Sequence, residues 1–362
     1  MKPPERNEKI RAVLNDMYQA AKTETVVTPY DEMLEQIVIS KDQSYREVLL
    51  CIISHMLIDP NLKASTNWYA FHPRGIYDAG PVKQFLTEYG IPHTKSGPLN
   101  ITKAANINPE WAERRASPEV AHALIDIVKY VESHNSIEEM RIIGISLIQK
   151  LLREAIRVQQ LSVSIAPSND PIYLANLCIQ LINNVPDFGN TPQQIAARLL
   201  ENYHWSIRSE ICVTGGKDRA SVTSTTSHKP GDINEELYNH ILKVYEITVK
   251  AFDKDRIIDS YDCIEKFNQY SENQISEVIV ICRPQDCPSL LQQSGFSNYM
   301  GFIDFQNIRY HFWNIYEWIM SILQQMPNAG RELFSVSLAA YVNDINTAEA
   351  VKIEWRRLQG IE

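Results

Sequence analysis

Apolar residues recur at helical spacing from the start of the chain, where Ile10, Val13, Leu14, Met17 and Ala21 fall on one stripe. The stretch "SYREVLLCIISHMLI" (44–58) is apolar enough to predict a largely buried helix. Residues 61–109 are richer in Pro, Gly and Asn, and predict loops around a short helix at "GPVKQFLTEYG". Long helical patterns resume in "SPEVAHALIDIVKYVES" and "SIEEMRIIGISLIQKLLREAIRVQQ". The first of these has Pro118 at its opening position, where the missing N–H costs nothing. Residues 1–160 therefore read as a helical part.

The texture changes after that. "PIYLANLCIQLINNV" and "TPQQIAARLLENYHW" predict helices, the second opened by a Thr191–Gln194 capping box. Three β-type runs follow, "SEICVTG", "ASVTSTTSHKPGDI" and "ILKVYEITVK", bounded by Gly215-Gly216 and by "NEELYNH". A helix at "DKDRIIDSYDCIEKFNQYS" and a buried strand at "SEVIVICR" complete an α-β-β-β-α-β order over 161–290. From 291 to 362 the aromatic segment "YHFWNIYEWIMSILQQM" and two further helical patterns predict a helical tail. Its aromatic run, Tyr310 to Trp318, suits a core or a dimer interface. The expected fold class is α/β (α+β), and no repeat is visible.

Side chains alternate across a strand, so Glu246, Thr248 and Lys250 are expected on one face of "KVYEITVK", with Tyr245, Ile247 and Val249 turned into a core. Asp232 is expected at the end of the preceding strand, which Pro230-Gly231 would bend. Two carboxylates brought together in this way repel, and a divalent cation resolves the repulsion. Oxygen ligands with retained waters suit Mg²⁺. Lys250, about 7 Å along the strand from Glu246, is the expected cation beside the phosphate, where it would orient a water or offset charge.

Composition narrows the setting. Hydrophobic residues make up 44% and charged residues 22% of 362, an ordinary globular balance. No apolar run approaches a membrane span, and the charged, amphipathic start lacks the apolar core of a secretory signal, so a cytoplasmic protein is expected. None of the six cysteines forms a CxxC pair, which argues against a zinc cluster. The net charge of −9 argues against a non-specific nucleic-acid coat but leaves a DNA enzyme open, because local fields outweigh the total. Residues 89–109 hold no acid but include His93, Lys95 and Lys103, either a polar loop or a phosphate-facing surface. Arg74 in "HPRG" could bind guanine or phosphate bidentately, or simply form a surface ion pair. His228, beside Lys229, could touch a phosphate, although a solvated pair is the plainer reading. "RGIYD" with "EYGIP" matches a known nuclease pattern only by chance, and the Gly pair of "VTGGKD" lacks the spacing of a phosphate-binding loop and reads as a strand turn.

The α-β-β-β-α-β order with Pro-Gly-Asp and Glu-x-x-x-Lys resembles the PD-(D/E)XK nuclease core. More specifically, "FHPRGIYDAGPVKQFLTEYGIPHTKSGPLNITK", "LINNVPDFG" and "TTSHKPGDINEE…ILKVYEITVKAF" are similar to the SacI-type family of type II restriction endonucleases. That resemblance implies a bacterial, Mg²⁺-dependent enzyme that cuts both strands of DNA at a short palindromic site. It also implies a restriction–modification system whose cognate DNA methyltransferase acts on the same site, and the two-fold symmetry of a palindromic duplex then predicts a homodimer. Asp232 matches the motif's aspartate and Glu246 its acidic strand position, both as metal ligands. Thr248 stands where the motif has lysine, and Lys250 is the nearest substitute. Such sites often recruit an acid from the helix before the first strand, for which Glu201 is the matching residue. Arg74, Lys95, Lys103 and Lys229 are the expected DNA contacts. The competing expectations are an inactive DNA-binding module on the same fold, or a nuclease of another defence or repair system.

Overall fold

The computed structural model describes residues 2–103, 105–216, 229–289 and 291–361. It divides into two compact units, Met1–Gln160 and Leu161–Glu362. No described helix is long and apolar enough to cross a membrane.

The first unit is helical: α1 (Pro3–Thr23), α2 (Asp31–Val38), α3 (Ser44–Met56), α4 (Pro73–Ile76), α5 (Pro81–Glu88), α6 (Gly97–Ile101), α7 (Pro109–Glu113), α8 (Pro118–His134) and α9 (Ile137–Gln159). Ile10, Leu14 and Met17 of the predicted stripe are fully buried, and every residue of α3 is buried, as its all-round apolarity requires. Two charges of α3 are kept inside by hydrogen bonds to neighbouring segments. Arg46 donates to the carbonyls of Val38 and Pro92, and Glu47 accepts from Thr94. Together they pin the loop that carries Lys95.

The second unit is built on a mixed sheet. α10 (Pro171–Asn184) and α11 (Asn190–Ser206) precede β1 (Cys212–Thr214), β2 (Ile233–Leu237) and β3 (His240–Thr248). α12 (Lys254–Tyr270) leads to β4 (Glu277–Cys282), and β5 (Gln292–Gln293), β6 (Tyr299–Phe305) and β7 (Ile308–Asn314) follow. α13 (Ile315–Gln325), α14 (Asn328–Asn343) and α15 (Glu349–Leu358) close the chain. The strand order is β1-β2-β3-β4-β7-β6-β5. β1, β2 and β3 form an antiparallel meander, and β4 runs parallel to both β3 and β7. A parallel return needs a crossover, which α12 supplies between β3 and β4. One sheet face, with Ile233, Tyr245, Ile247 and Ile281, packs into a core shared with α10, α11, α13, α14 and α15. The opposite face, with Val244, Val278, Val280, Tyr310 and Phe312, packs with Ile257 and Ile264 of α12.

The α-β-β-β-α-β order over 190–282 matches the expected one, but three local expectations are corrected. "NEELYNH" is not a strand boundary: it holds β2 itself, and only Tyr238 and Asn239 turn, with φ of +51° and +65°. Two consecutive left-handed residues make the tight hairpin whose twist suits its strands. The Glu pair hid the strand from a propensity reading, yet Glu235 is buried there against His204 at 2.9 Å and Lys243 at 3.1 Å. Most of "ASVTSTTSHKPGDI" lies outside the described residues. Residues 292–314 are not part of a helical tail but three strands of the same sheet. Tyr310 and Phe312 are buried and alternate with the half-buried His311 and Trp313, a period of two that an unbroken run of ring side chains hides in the sequence, and Asn314 then caps α13 by accepting the Tyr316 N–H at 3.1 Å. Finally, Thr191 caps nothing. It is fully buried, its hydroxyl donates to the Val185 carbonyl at 2.7 Å, and α11 begins from Gly189 without a side-chain cap.

Candidate active site

Two glycines let the backbone close around Asp232. A Cβ on Gly231 would stand 2.5 Å from Val244 Cγ1 and 2.9 Å from the Tyr245 carbonyl oxygen, so no side chain fits where the chain enters β2. Gly215, at φ +91°, lies against the Asp232 carbonyl, where a Cβ would be 2.1 Å from its oxygen. From α11, Gln193 Nε2 reaches the carbonyls of Gly215 at 3.4 Å and Asp232 at 3.5 Å. Asp232 thus lies at the entry to β2 rather than at the end of a preceding strand.

β2 and β3 pair Ile233 with Tyr245, so one step further Asp232 stands across from Glu246. The Ile247 N–H donates to Asp232 Oδ2 at 2.9 Å, and Ser260 Oγ of α12 donates to Glu246 Oε1 at 3.3 Å. Both carboxyls are half-buried. Burial raises the pKa of Asp232, against the pull of the Ile247 N–H and the Arg256 charge. Burial and then the neighbouring Asp232 push Glu246 up to about 8, against Arg256 and Ser260. Without a cation the pair therefore retains a proton at neutral pH.

The cation that acts on both carboxyls is Arg256, in the first turn of α12. Its backbone N–H is capped by Asp253 at 3.1 Å, and its Nη1 donates to Thr248 Oγ1. Lys250 is placed otherwise than expected. β3 ends at Thr248, whose hydroxyl accepts the Lys250 N–H at 3.0 Å and lies 3.0 Å from its carbonyl. That turn breaks the alternation which would have set Lys250 beside Glu246, and leaves its side chain exposed. Both cations line a cleft of about 240 Å³, together with Asp232, Thr248, Phe188 and Gly189.

Glu201 is not brought to the cleft. α11 meets Asp232 through Gln193, and Glu201 lies eight residues, about 12 Å, further along, exposed and beside Arg198. Arg74 and Lys103 are exposed in the first unit, Lys95 is half-buried with its carbonyl accepting from Lys83 at 2.8 Å, and Lys229 is half-buried just before Pro230. His93 is corrected from a possible phosphate contact: it is buried, its ring held by the Ile91 carbonyl and the Thr87 hydroxyl. His228, and Lys217 and Asp218 of "VTGGKD", lie outside the described residues.

No protein-family model matches the chain, and no curated protein matches it. Among the described residues, no three His, Cys, Asp or Glu side chains come together as a metal-binding group. Two carboxylates remain, which fits a hard cation that takes one or two protein oxygens and keeps its waters. It does not fit an all-protein cage. Sequence reading missed Arg256 and Ser260, because both belong to the helix after the strand motif. One signal was present: a cation in the first turn of a helix opposes the helix dipole, which favours acids there.

Proposed function

We propose that the chain is a Mg²⁺-dependent, site-specific endodeoxyribonuclease with a PD-(D/E)XK core, acting as a type II restriction endonuclease of SacI type. The observation that carries this reading is the Asp232–Glu246 pair, set face to face across an antiparallel hairpin with Arg256 beside it. The α-β-β-β-α-β order and the sequence segments quoted above support it.

Asp232 and Glu246 would hold the Mg²⁺ through their oxygens, in place of the proton they otherwise share. The bound ion supplies Lewis acidity and positive charge beside the phosphate. The Ile247 N–H fixes one oxygen of Asp232, and Ser260 orients Glu246. Arg256, tethered to Thr248, has further N–H donors for the oxygens of a phosphodiester. A guanidinium stays protonated, so Arg256 stabilises charge and removes no proton. Lys250, exposed at the cleft, adds charge for the nucleic-acid backbone. A palindromic duplex presents two scissile phosphates, and a two-fold homodimer would bring one such site to each. Arg74, Lys95, Lys103 and Lys229 are proposed as DNA contacts, which would make binding fall steeply with salt despite the acidic chain.

One observation favours an inactive DNA-binding module instead: Thr248 occupies the position where such cores carry lysine. Incubating plasmid DNA with the purified chain, with and without Mg²⁺, separates the two. Discrete fragments only with Mg²⁺ support the nuclease, and binding without cleavage supports the module.

A further inference from the structure

The turn "VPDFG" that precedes α11 contains three successive residues in the left-handed region: Asp187 at φ +45°, Phe188 at +56° and Gly189 at +102°. Glycine accepts that conformation freely, whereas for a bulky residue such as Phe it is an outlier. The turn is held from several sides. The Gly189 N–H donates to the Pro186 carbonyl at 2.9 Å, and Thr191 Oγ1 donates to the Val185 carbonyl at 2.7 Å. Asn190 Nδ2 donates to Asp187 Oδ2 at 3.1 Å.

That construction leaves Phe188 84% exposed while it lines the cleft of Asp232, Lys250 and Arg256. Neither fact serves the fold. The ring buries almost nothing, and Asn or Gly would suit the backbone better. Strained backbone that the surroundings hold in place is characteristic of sites that act on a ligand. The two aromatics of similar exposure do not line the cleft: Tyr238 forms the far tip of the β2–β3 hairpin, and Tyr270 ends α12.

We infer that Phe188 is a base-stacking residue, which places its ring against the nucleobase flanking the phosphodiester held in the Asp232 cleft. The inference rests on the proposed nuclease reading and goes beyond it by naming a contact to a base. The chemistry of the cleft selects this partner. Two cations and the Asp232 carboxyl line the cleft, with Glu246 across the hairpin from Asp232, a set that suits a phosphodiester, and the component of a nucleotide that prefers an aromatic face is the base. Stacking of this kind tolerates any base, so Phe188 fixes the position of the strand rather than its sequence. Because the backbone of the turn is already held, the chain loses little freedom when the ring stacks.

The test uses the full chain and a duplex spanning a cleavage site mapped with the wild-type protein, with 2-aminopurine at the base flanking the cut. Ca²⁺ replaces Mg²⁺ so that binding is measured without turnover. Phe188→Asn and Phe188→Gly should weaken binding roughly tenfold to a hundredfold, the range expected for one lost stack. Both should melt no lower than wild type, because they relieve the left-handed strain, and Phe188→Tyr should restore binding. The 2-aminopurine signal should change on binding wild type and Phe188→Tyr, and not on binding the other two. Unchanged affinity and signal in Phe188→Asn, beside a wild type that binds and cuts, would overturn the stacking role alone. A loss of self-association with no change at the labelled base would show that a second copy, not DNA, takes the ring. A wild type that neither binds nor cuts DNA would overturn this inference and the nuclease reading together.

Discussion

Asp232 stands across the β2–β3 hairpin from Glu246, one step beyond the Ile233–Tyr245 pair, with neither side chain free to turn away. Two half-buried acids held in this way carry a cost that any cation bound between them would relieve. The expected behaviour of the site follows from that relationship.

Stability in the absence of metal should depend on pH through this pair. Glu246 holds its proton up to about 8 in the folded chain and releases it near 4.5 when unfolded. Between those values the folded state binds more protons, so stability falls as pH rises through the window. Thermal melts in chelator at pH 5, 6.5 and 8 should show that decline, and Glu246→Gln should flatten it. A wild-type profile that is level from 5 to 8 would contradict the assignment.

Arg256 should matter more than Lys250. Removing Arg256, which acts on both carboxyls and is tethered to Thr248, should slow cleavage about a hundredfold or more, the size seen when a charge-stabilising donor is lost. Lys250 is exposed, and screening limits its loss to about tenfold or less. Arg256→Lys should recover part of the activity as a point charge without the fork. Single-turnover rates of Arg256→Ala, Arg256→Lys and Lys250→Ala decide it, and a larger loss for Lys250→Ala would reverse the assignment.

Glu201→Gln should leave cleavage within about twofold and stability within about 0.5 kcal/mol, as for an exposed surface change. A hundredfold loss in the same rate assay would place Glu201 at the site after all.

Gly231→Ala should destabilise the protein by about 1–3 kcal/mol, the usual result of forcing atoms into a packed place. The added Cβ meets Val244 and the Tyr245 carbonyl, and the response must move Asp232. Denaturant unfolding measures the loss. An unchanged midpoint with full activity would show that the close approach is not needed.

The sequence made the carboxylate pair legible because a strand's period of two is strict. Once Glu246 is on the strand, Ile247 must face the core, and a hairpin brings Asp232 across. The cation was not legible, because alternation stops where the strand stops, and the Thr248 turn that ends it is a hydrogen-bond detail. Glu201 failed for a related reason: helical spacing gives a face, not the end of the helix that meets the site. β2 was hidden because Glu235 and Glu236 read as loop until His204 and Lys243 are known to partner Glu235. At Tyr310–Trp313 four consecutive ring side chains show neither the strand nor the helix period, and only pairing with β4 and β6 settles which element forms.

The most direct test of the central claim is digestion of a sequenced phage genome by the purified chain, with fragment ends read by sequencing. Wild type with Mg²⁺ should give discrete double-strand ends at one short palindromic site and none in chelator. Asp232→Asn and Glu246→Gln should each cut at least about a thousandfold more slowly, from the several kcal/mol that a bound ion contributes, while still retarding the same DNA. Robust cutting by either variant, or no Mg²⁺-dependent cutting by the wild type, would contradict it.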